Sequence, residues 1–122
     1  MGIKEGHTVA VIEGPENLVG LLVPMPDDVR LRFDARGKPD VSLVFVRTTA
    51  QLNKRRSQLR TLAFPDRSVW VCWPKKSSSL SRDLTEDGIR AAMTDGLVDV
   101  KVCAIDVDWS GLKLMMRKEF RS

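Results

Sequence analysis

The sequence contains no tyrosine, one histidine and two cysteines, and aromatic residues make up 6% of its 122 residues. The histidine, His7, has neither a second metal ligand beside it nor a serine or cysteine at the spacing of a catalytic triad. Cys72 and Cys103 lie inside apolar, strand-like runs without a CxxC spacing. We therefore expect two buried free thiols, no metal and no cofactor, and we interpret His7 as a polar residue entering the first strand.

Long apolar runs are also missing. None approaches the length of about 20 residues that crosses a bilayer, and the opening MGIKEGHTV lacks the apolar core of a signal peptide. With 43% hydrophobic and 30% charged residues, the composition is that of a globular chain, and its length suits a single domain spanning 1–122. We expect a cytoplasmic protein without a membrane partner.

Short apolar runs predict the strands of a sheet. Segment 7–12 has the composition of a first strand, and the alternating segment 29–33 belongs near a sheet edge. Segments 41–46 and 68–73 are apolar without alternation, which is typical of central strands covered on both faces. A Gly-Pro turn after the first strand precedes a predicted short helix within 15–22.

Capping signals predict two longer helices. Thr48 with Gln51 forms a capping box before the first, Asp83 with Glu86 forms a similar signature before the second, and Gly96 ends the second. The predicted inward stripes are Leu52, Leu59, Leu62 and Ala63 in the first helix, and Leu84, Ile89, Ala92, Met93 and Leu97 in the second. The residues predicted to stay largely outside on the first helix are Lys54, Arg55, Arg56 and Arg60.

The end of the chain predicts a hairpin. Strands at 98–106 and 112–118, joined by a turn around 108–111, are close enough in sequence that they must be antiparallel. The preceding strand–helix order requires right-handed crossovers and helices packed on a mostly parallel sheet. The predicted fold is a three-layer, Rossmann-like α/β domain whose mostly parallel sheet ends in an antiparallel C-terminal hairpin.

Three segments in this order, DVSLVFV, SVWVCWPK and GLVDVKVCAIDVDWSGLKLMMRK, resemble the second half of a class I, Rossmann-like methyltransferase. The resemblance implies that 112–118 inserts antiparallel beside 68–73 and leaves 98–106 at the sheet edge. Cys72 and Cys103 would then be separated by a whole strand, about 9–10 Å, which is too far for a disulfide.

The segments GIKEGHTVAVI, WPKKSS, DLTED and GLVDVKVCAIDVDWSGLK are similar to a family of small bacterial proteins catalogued as a domain of unknown function. The similarity covers nearly the whole chain. It implies a fold and no activity.

A basic, hydroxyl-rich loop follows the second central strand. Its candidate ligand-binding residues are Trp73, Lys75, Lys76, Ser77, Ser78 and Ser79. Ligands of open α/β sheets collect at the carboxyl ends of strands, and ammonium groups, hydroxyls and the next helix N-terminus favour a phosphate or carboxylate. The alternative is a solvated connection, because lysine and serine are common in such loops.

The glycine-rich turn of a dinucleotide or S-adenosylmethionine site is absent. The turn after the first strand is IEGPEN, in which Gly14 stands alone and Pro15 removes a backbone donor. Asp34 imitates a ribose-binding carboxylate, and Asp106 and Asp108 have a spacing that suits acid–base work, but turn chemistry explains all three.

The densest basic region comprises Lys54, Arg55, Arg56, Arg60 and Arg67. The aromatic residues that single-strand binders interleave with their basic residues are missing there, which favours a solvated face and disfavours nucleic acid as a partner. Trp109, placed in the hairpin turn, is interpreted as a lid over the core, with contact to a ligand or partner left open.

The sequence favours a non-enzymatic binding or regulatory module that holds an anionic small molecule at the WPKKSSS loop. Two alternatives stay open, a degenerate or atypical methyltransferase-like enzyme and an interaction domain that uses the basic helix to reach a protein partner.

Overall fold

The apolar runs form the strands of one six-stranded sheet in a computed structural model that describes residues 3–14, 28–33, 39–64, 67–76, 83–92, 96–105 and 108–117. The strands are β1 (Thr8–Ile12), β2 (Arg30–Arg32), β3 (Val41–Phe45), β4 (Ser68–Pro74), β5 (Leu97–Ala104) and β6 (Trp109–Met116). Helix α1 (Thr49–Ala63) connects β3 to β4, and helix α2 (Glu86–Ala92) lies between β4 and β5. The predicted helix within 15–22, Asp34, Ser77 to Ser79, Met93 and Asp106 lie outside the described residues.

The strand order is β2-β1-β3-β4-β6-β5. The first four strands pair in parallel, and β6 runs antiparallel to both β4 and β5. This order confirms the predicted fold class, the edge position of 29–33 and the insertion of the last strand beside β4.

The hairpin turn is shorter than predicted. Leu97, expected on a helix, is the first residue of β5 and pairs with Met116. Trp109 to Gly111, expected in the turn, already belong to β6, because Trp109 pairs with Pro74 and accepts a hydrogen bond from the Ile105 N–H. Packing against β4 extends β6 by these residues, and local turn chemistry gave no sign of it.

The two cysteines face the same glycine. Cys72 on β4 and Cys103 on β5 both lie opposite Gly111 of the intervening strand β6. Both are free thiols, which confirms that no disulfide joins them, although Cys103 is only half-buried. Burial raises the pKa of the Cys72 thiol far above its usual range, and the nearby Cys103 adds to this, so Cys72 stays a neutral core residue.

The sheet carries a hydrophobic cluster on each face. One cluster contains Trp73 and the inward residues of α1 and α2, and the other contains Trp70 and Trp109. The indoles at 70 and 73 therefore point to opposite faces, as strand alternation predicts. Trp109 is buried within the second cluster and meets Phe45 edge to face with ring centroids 5.0 Å apart, as the interpretation of its indole as a lid over the core requires.

Helix α1 begins and packs largely as predicted. The Thr48 hydroxyl accepts a hydrogen bond from the Gln51 N–H, and the buried residues are Leu52, Leu59, Leu62 and Ala63. The return bond of the capping box differs, since the Gln51 side chain accepts from the Arg47 N–H at 2.7 Å and not from Thr48. Arg55 and Arg56 are half-buried, whereas Lys54 and Arg60 are exposed as expected.

The cap of α2 is not the predicted Asp83. Because the helix begins at Glu86, its cap is Thr85, whose hydroxyl accepts a hydrogen bond from the Gly88 N–H at 3.0 Å. The Asp83 carboxylate instead accepts from the Thr49 N–H at 2.9 Å. Asp83 therefore satisfies a free donor at the start of the other helix, a long-range contact that sequence spacing does not show.

Replacing Asp83 with alanine should lower the free energy of unfolding by about 1 kcal/mol, because the Thr49 N–H loses its acceptor. Asp83→Asn keeps a side-chain oxygen and should retain most of this stability. Urea unfolding of the two variants measures the difference. Equal losses for alanine and asparagine would contradict the capping role.

None of the helices in these described ranges is long and apolar enough to cross a membrane.

Candidate functional site

A crevice of about 390 Å³ opens at the carboxyl end of β4, and we call it the β4 crevice. Its lining residues are Trp73, Lys75, Lys76, Leu84, Thr85, Glu86, Asp87 and Ser110. The structure thus brings together the described members of the predicted loop site, Trp73, Lys75 and Lys76. The indole of Trp73 is 5% exposed and serves as a wall of the crevice more than as an open platform.

Strand pairing fixes the base of the β4 crevice. Trp73 lies opposite Ser110 across the antiparallel pair of β4 and β6, so the indole and the hydroxyl come from neighbouring strands. The residue after β4 is fixed next to the start of β6, because the Lys75 N–H donates a hydrogen bond to the Asp108 carbonyl oxygen at 2.8 Å. The Lys75 side chain is half-buried and that of Lys76 is exposed.

The opposite wall of the crevice is acidic. Glu86 and Asp87 form the first turn of α2, where carboxylates complement the positive end of a helix. Glu86 binds Arg90 at 2.6 Å, and Arg90 also binds Asp99 at 3.2 Å. The short helix therefore presents carboxylates to the crevice, and its N-terminus adds little to an anion site. The attraction for an anion must come from Lys75 and Lys76.

A second, smaller crevice of about 240 Å³ lies at the switch point between β1 and β3, where the strand order reverses. Glu13 lies directly after β1, Phe45 is the last residue of β3, and Val46 follows it. The Glu13 carboxylate accepts a hydrogen bond from the Arg55 side chain of α1 at 3.2 Å, so an ion pair spans this crevice.

The described part of the turn after β1 differs from that of an S-adenosylmethionine or dinucleotide site. Such a site needs backbone N–H groups that approach the cofactor through a glycine-rich turn. Here Glu13, the first residue after β1, has a left-handed conformation with φ 58°, and its carboxylate binds Arg55. A charged residue therefore occupies a left-handed position that glycine adopts without strain.

Lys54 lines the switch-point crevice, whereas His7, Asp108 and Arg67 line neither crevice. His7 lies before β1 in a turn, where its Nδ1 accepts a hydrogen bond from the Lys4 N–H at 3.1 Å. Asp108 contributes a backbone oxygen to the Lys75 turn. Arg67 donates from its side chain to the Phe64 carbonyl oxygen and so satisfies the end of α1. No three or more His, Cys, Asp or Glu residues of the described segments gather as metal ligands.

The sequence predicted that the next helix N-terminus lies near the loop, but it did not identify Thr85, Glu86, Asp87 and Ser110 as lining residues. Thr85, Glu86 and Asp87 are distant from the lysines along the chain, and only the packing of α2 over β4 brings them near. The position of Ser110 could have been predicted from the sequence, since the methyltransferase resemblance implied that the last strand pairs with β4. A proposed register for that pair would have placed Ser110 beside Trp73.

Solved structures share this fold at low sequence identity. A mutant of MtNAS aligns with a TM-score of 0.64 and 12% identity over 94% of this chain and 55% of its own. A protein of the NADB-Rossmann superfamily from Streptococcus agalactiae gives 0.58 and 8% identity over 95% and 64%. A protein from Sulfolobus solfataricus, assigned as a type 11 methyltransferase, gives 0.55 and 16% identity over 91% and 85%.

These similarities define a class of fold. The chain has the Rossmann-like α/β fold that methyltransferases also use. The alignments cover 94% and 91% of this chain, and so extend beyond the three segments whose sequence resembles a methyltransferase. It spans about half the length of MtNAS and less than two thirds of the Streptococcus protein. No protein-family model matches the chain, and no curated protein matches it in sequence.

Proposed function

We propose that this chain is a cytoplasmic, non-enzymatic binding module that holds an anionic small molecule in the β4 crevice. The observation that carries the proposal is the convergence of two lysines, two hydroxyls and an indole at the carboxyl end of a central strand. This edge is where open α/β sheets collect ligands. The crevice volume of about 390 Å³ falls in the range of small-molecule sites, about 300–1,000 Å³.

The ligand class follows from the charges around the crevice. Glu86 pairs with Arg90 at 2.6 Å, and Asp99 shares the same guanidinium at 3.2 Å. Asp87 is the other carboxylate of the lining, opposite in charge to Lys75 and Lys76. A carboxylate or phosphate ester would approach the two ammonium groups and the hydroxyls of Thr85 and Ser110.

Two charge changes should act on anion binding in opposite directions. Lys75→Ala combined with Lys76→Ala removes the attraction and should weaken the binding of phosphate or a nucleotide about tenfold or more. Asp87→Asn removes a repulsive charge and should strengthen the same binding several-fold. Isothermal titration with inorganic phosphate, citrate and adenosine monophosphate measures both effects. The melting temperature should hardly change, because Lys76 and Asp87 are exposed and Lys75 is only half-buried.

A matched control for the double variant is Lys4→Ala combined with Lys101→Ala, which removes the same charge from exposed positions away from the crevice. Equal weakening by the control would indicate general charge attraction and not a site. If none of the probes binds the unaltered protein, the loop is a solvated connection.

The order β2-β1-β3-β4-β6-β5 and the shared fold favour a methyltransferase-like enzyme as the second candidate. Adding S-adenosylmethionine to the same titrations distinguishes the candidates, because the Glu13–Arg55 pair across the switch point should prevent its binding. A dissociation constant in the low micromolar range, about −8 kcal/mol, would favour the enzyme.

We also propose that the chain belongs to the family of small bacterial proteins that its sequence resembles.

A further inference from the structure

Basic residues are concentrated in helix α1. The sequence has 20 basic and 16 acidic residues, a formal charge of +4. Helix α1 contains four of the basic residues, Lys54, Arg55, Arg56 and Arg60, and no acidic residue, and of these Arg55 pairs with Glu13. Such concentration on one element favours a polyanionic partner more than a uniform basic excess would.

Polar residues and an aromatic ring form a continuous stripe along α1, which we call the α1 stripe. It comprises Asn53, Arg56, Ser57, Arg60, Thr61 and Phe64, at the three- and four-residue spacing of one helix face. Two shallow depressions, of about 520 and 310 Å³, lie along it and share Arg60. From Asn53 to Phe64 the stripe extends about 17 Å along the helix axis.

The stripe ends at an exposed aromatic ring between two guanidinium groups. Phe64 is 42% exposed, and it lines one depression together with Arg60 and Arg67. Arg67 is held in place because its Nε donates to the Phe64 carbonyl oxygen at 2.9 Å and its backbone N–H donates to the Ala63 carbonyl oxygen at 3.0 Å. Phe64 lies between Arg60 and Arg67 in the sequence, and the structure shows that its ring is exposed beside them.

We propose that the α1 stripe binds single-stranded nucleic acid. Phosphates would contact the guanidinium groups of Arg56 and Arg60, which lie one helical turn apart, about 6 Å along the axis. A base would stack on the Phe64 ring beside Arg67. A single strand offers both groups at once, since its phosphates are regularly spaced and its bases have open π faces.

A duplex or an acidic peptide fits this surface less well. The bases of a duplex are stacked on each other, so the Phe64 ring would have no partner, and an acidic peptide would use the arginines alone. The contacts involve phosphates and one stacking face, so binding should tolerate any sequence. The stripe lies on the outer face of α1 and does not depend on the β4 crevice.

Fluorescence anisotropy with labelled oligothymidylate and oligouridylate of about twelve nucleotides tests the proposal. We expect binding at about 50 mM salt that weakens steeply by about 200 mM. Phe64→Ala should weaken it about fivefold or more through lost stacking. Arg60→Gln should weaken it and lower the slope of log affinity against log salt by about one.

Matched controls separate a site from general attraction. Phe33→Ala removes another exposed ring, 70% exposed at the end of β2, and Lys101→Gln removes another exposed charge, on β5; both should leave binding unchanged. Circular dichroism checks that every variant folds. Absence of binding at low salt, equal effects of the controls, or equally tight binding of poly-glutamate or duplex DNA would each overturn the proposal. The DNA and RNA arms show which strand is preferred.

Discussion

Trp109→Ala should lower the free energy of unfolding by about 3–5 kcal/mol, the range for deleting a large buried aromatic residue. The indole is 1% exposed and meets Phe45 edge to face with ring centroids 5.0 Å apart. The Arg47 guanidinium lies 5.3 Å from its ring centroid, which adds a cation–π contact. Loss of the ring would open a cavity where the carboxyl end of β3 meets the start of β6.

Urea unfolding followed by circular dichroism measures this loss. Phe33→Ala is the matched control, because that ring is 70% exposed and its removal should change stability by less than about 0.5 kcal/mol. A loss under about 1 kcal/mol for Trp109→Ala would show that the indole is not a structural lid. In that case a ligand or partner contact for Trp109 would regain support.

Gly111→Val should lower the free energy of unfolding by about 2–3 kcal/mol, and Gly111→Ala by about 1 kcal/mol. A Cβ atom at this position would lie 3.0 Å from Trp70 Cε3 and 3.2 Å from Ile105 Cδ1. The Trp70 side chain is fully buried and cannot yield, whereas Ile105 is half-buried. The higher strand propensity of valine, up to about 1 kcal/mol, does not offset this crowding.

A double-mutant cycle isolates the contact with Ile105. Ile105→Val deletes the Cδ1 atom that would lie 3.2 Å from the added Cβ, so Gly111→Ala combined with Ile105→Val should cost less than the two single variants together. Thermal or urea unfolding of the four proteins supplies the comparison. Additive losses, or a stable Gly111→Val protein, would contradict the close packing over the glycine that Cys72 and Cys103 both oppose.

Strand composition and helix signals predicted most of the described fold. Segments 41–46 and 68–73 were predicted as central strands because they are mostly apolar, with Ser42 and Ser68 as their polar residues, and the sheet places both between other strands. The buried face of α1 was predicted residue by residue, since Leu52 and Leu59 follow the helical period. These features depend on local periodicity, which a sequence displays directly.

The boundaries that failed depend on partners distant in the chain. Leu97 was assigned to a helix and Trp109 to a turn, but pairing with Met116 and Pro74 extends β5 and β6 over these positions. Asp83 matched a local capping pattern, yet its carboxylate reaches Thr49, which lies 34 residues away. Long-range hydrogen bonds replaced the local ones that the patterns suggested.

The β4 crevice and the α1 stripe could likewise be predicted only in part from the sequence. The sequence by itself determined that Lys75 and Lys76 follow a central strand and that α1 carries four basic residues without an acidic one. Only the tertiary structure placed Asp87 and Ser110 around those lysines and left the Phe64 ring exposed in one depression with Arg60 and Arg67. The physical reason is that periodicity fixes which face of an element a residue occupies, whereas strand order and helix packing decide which faces meet.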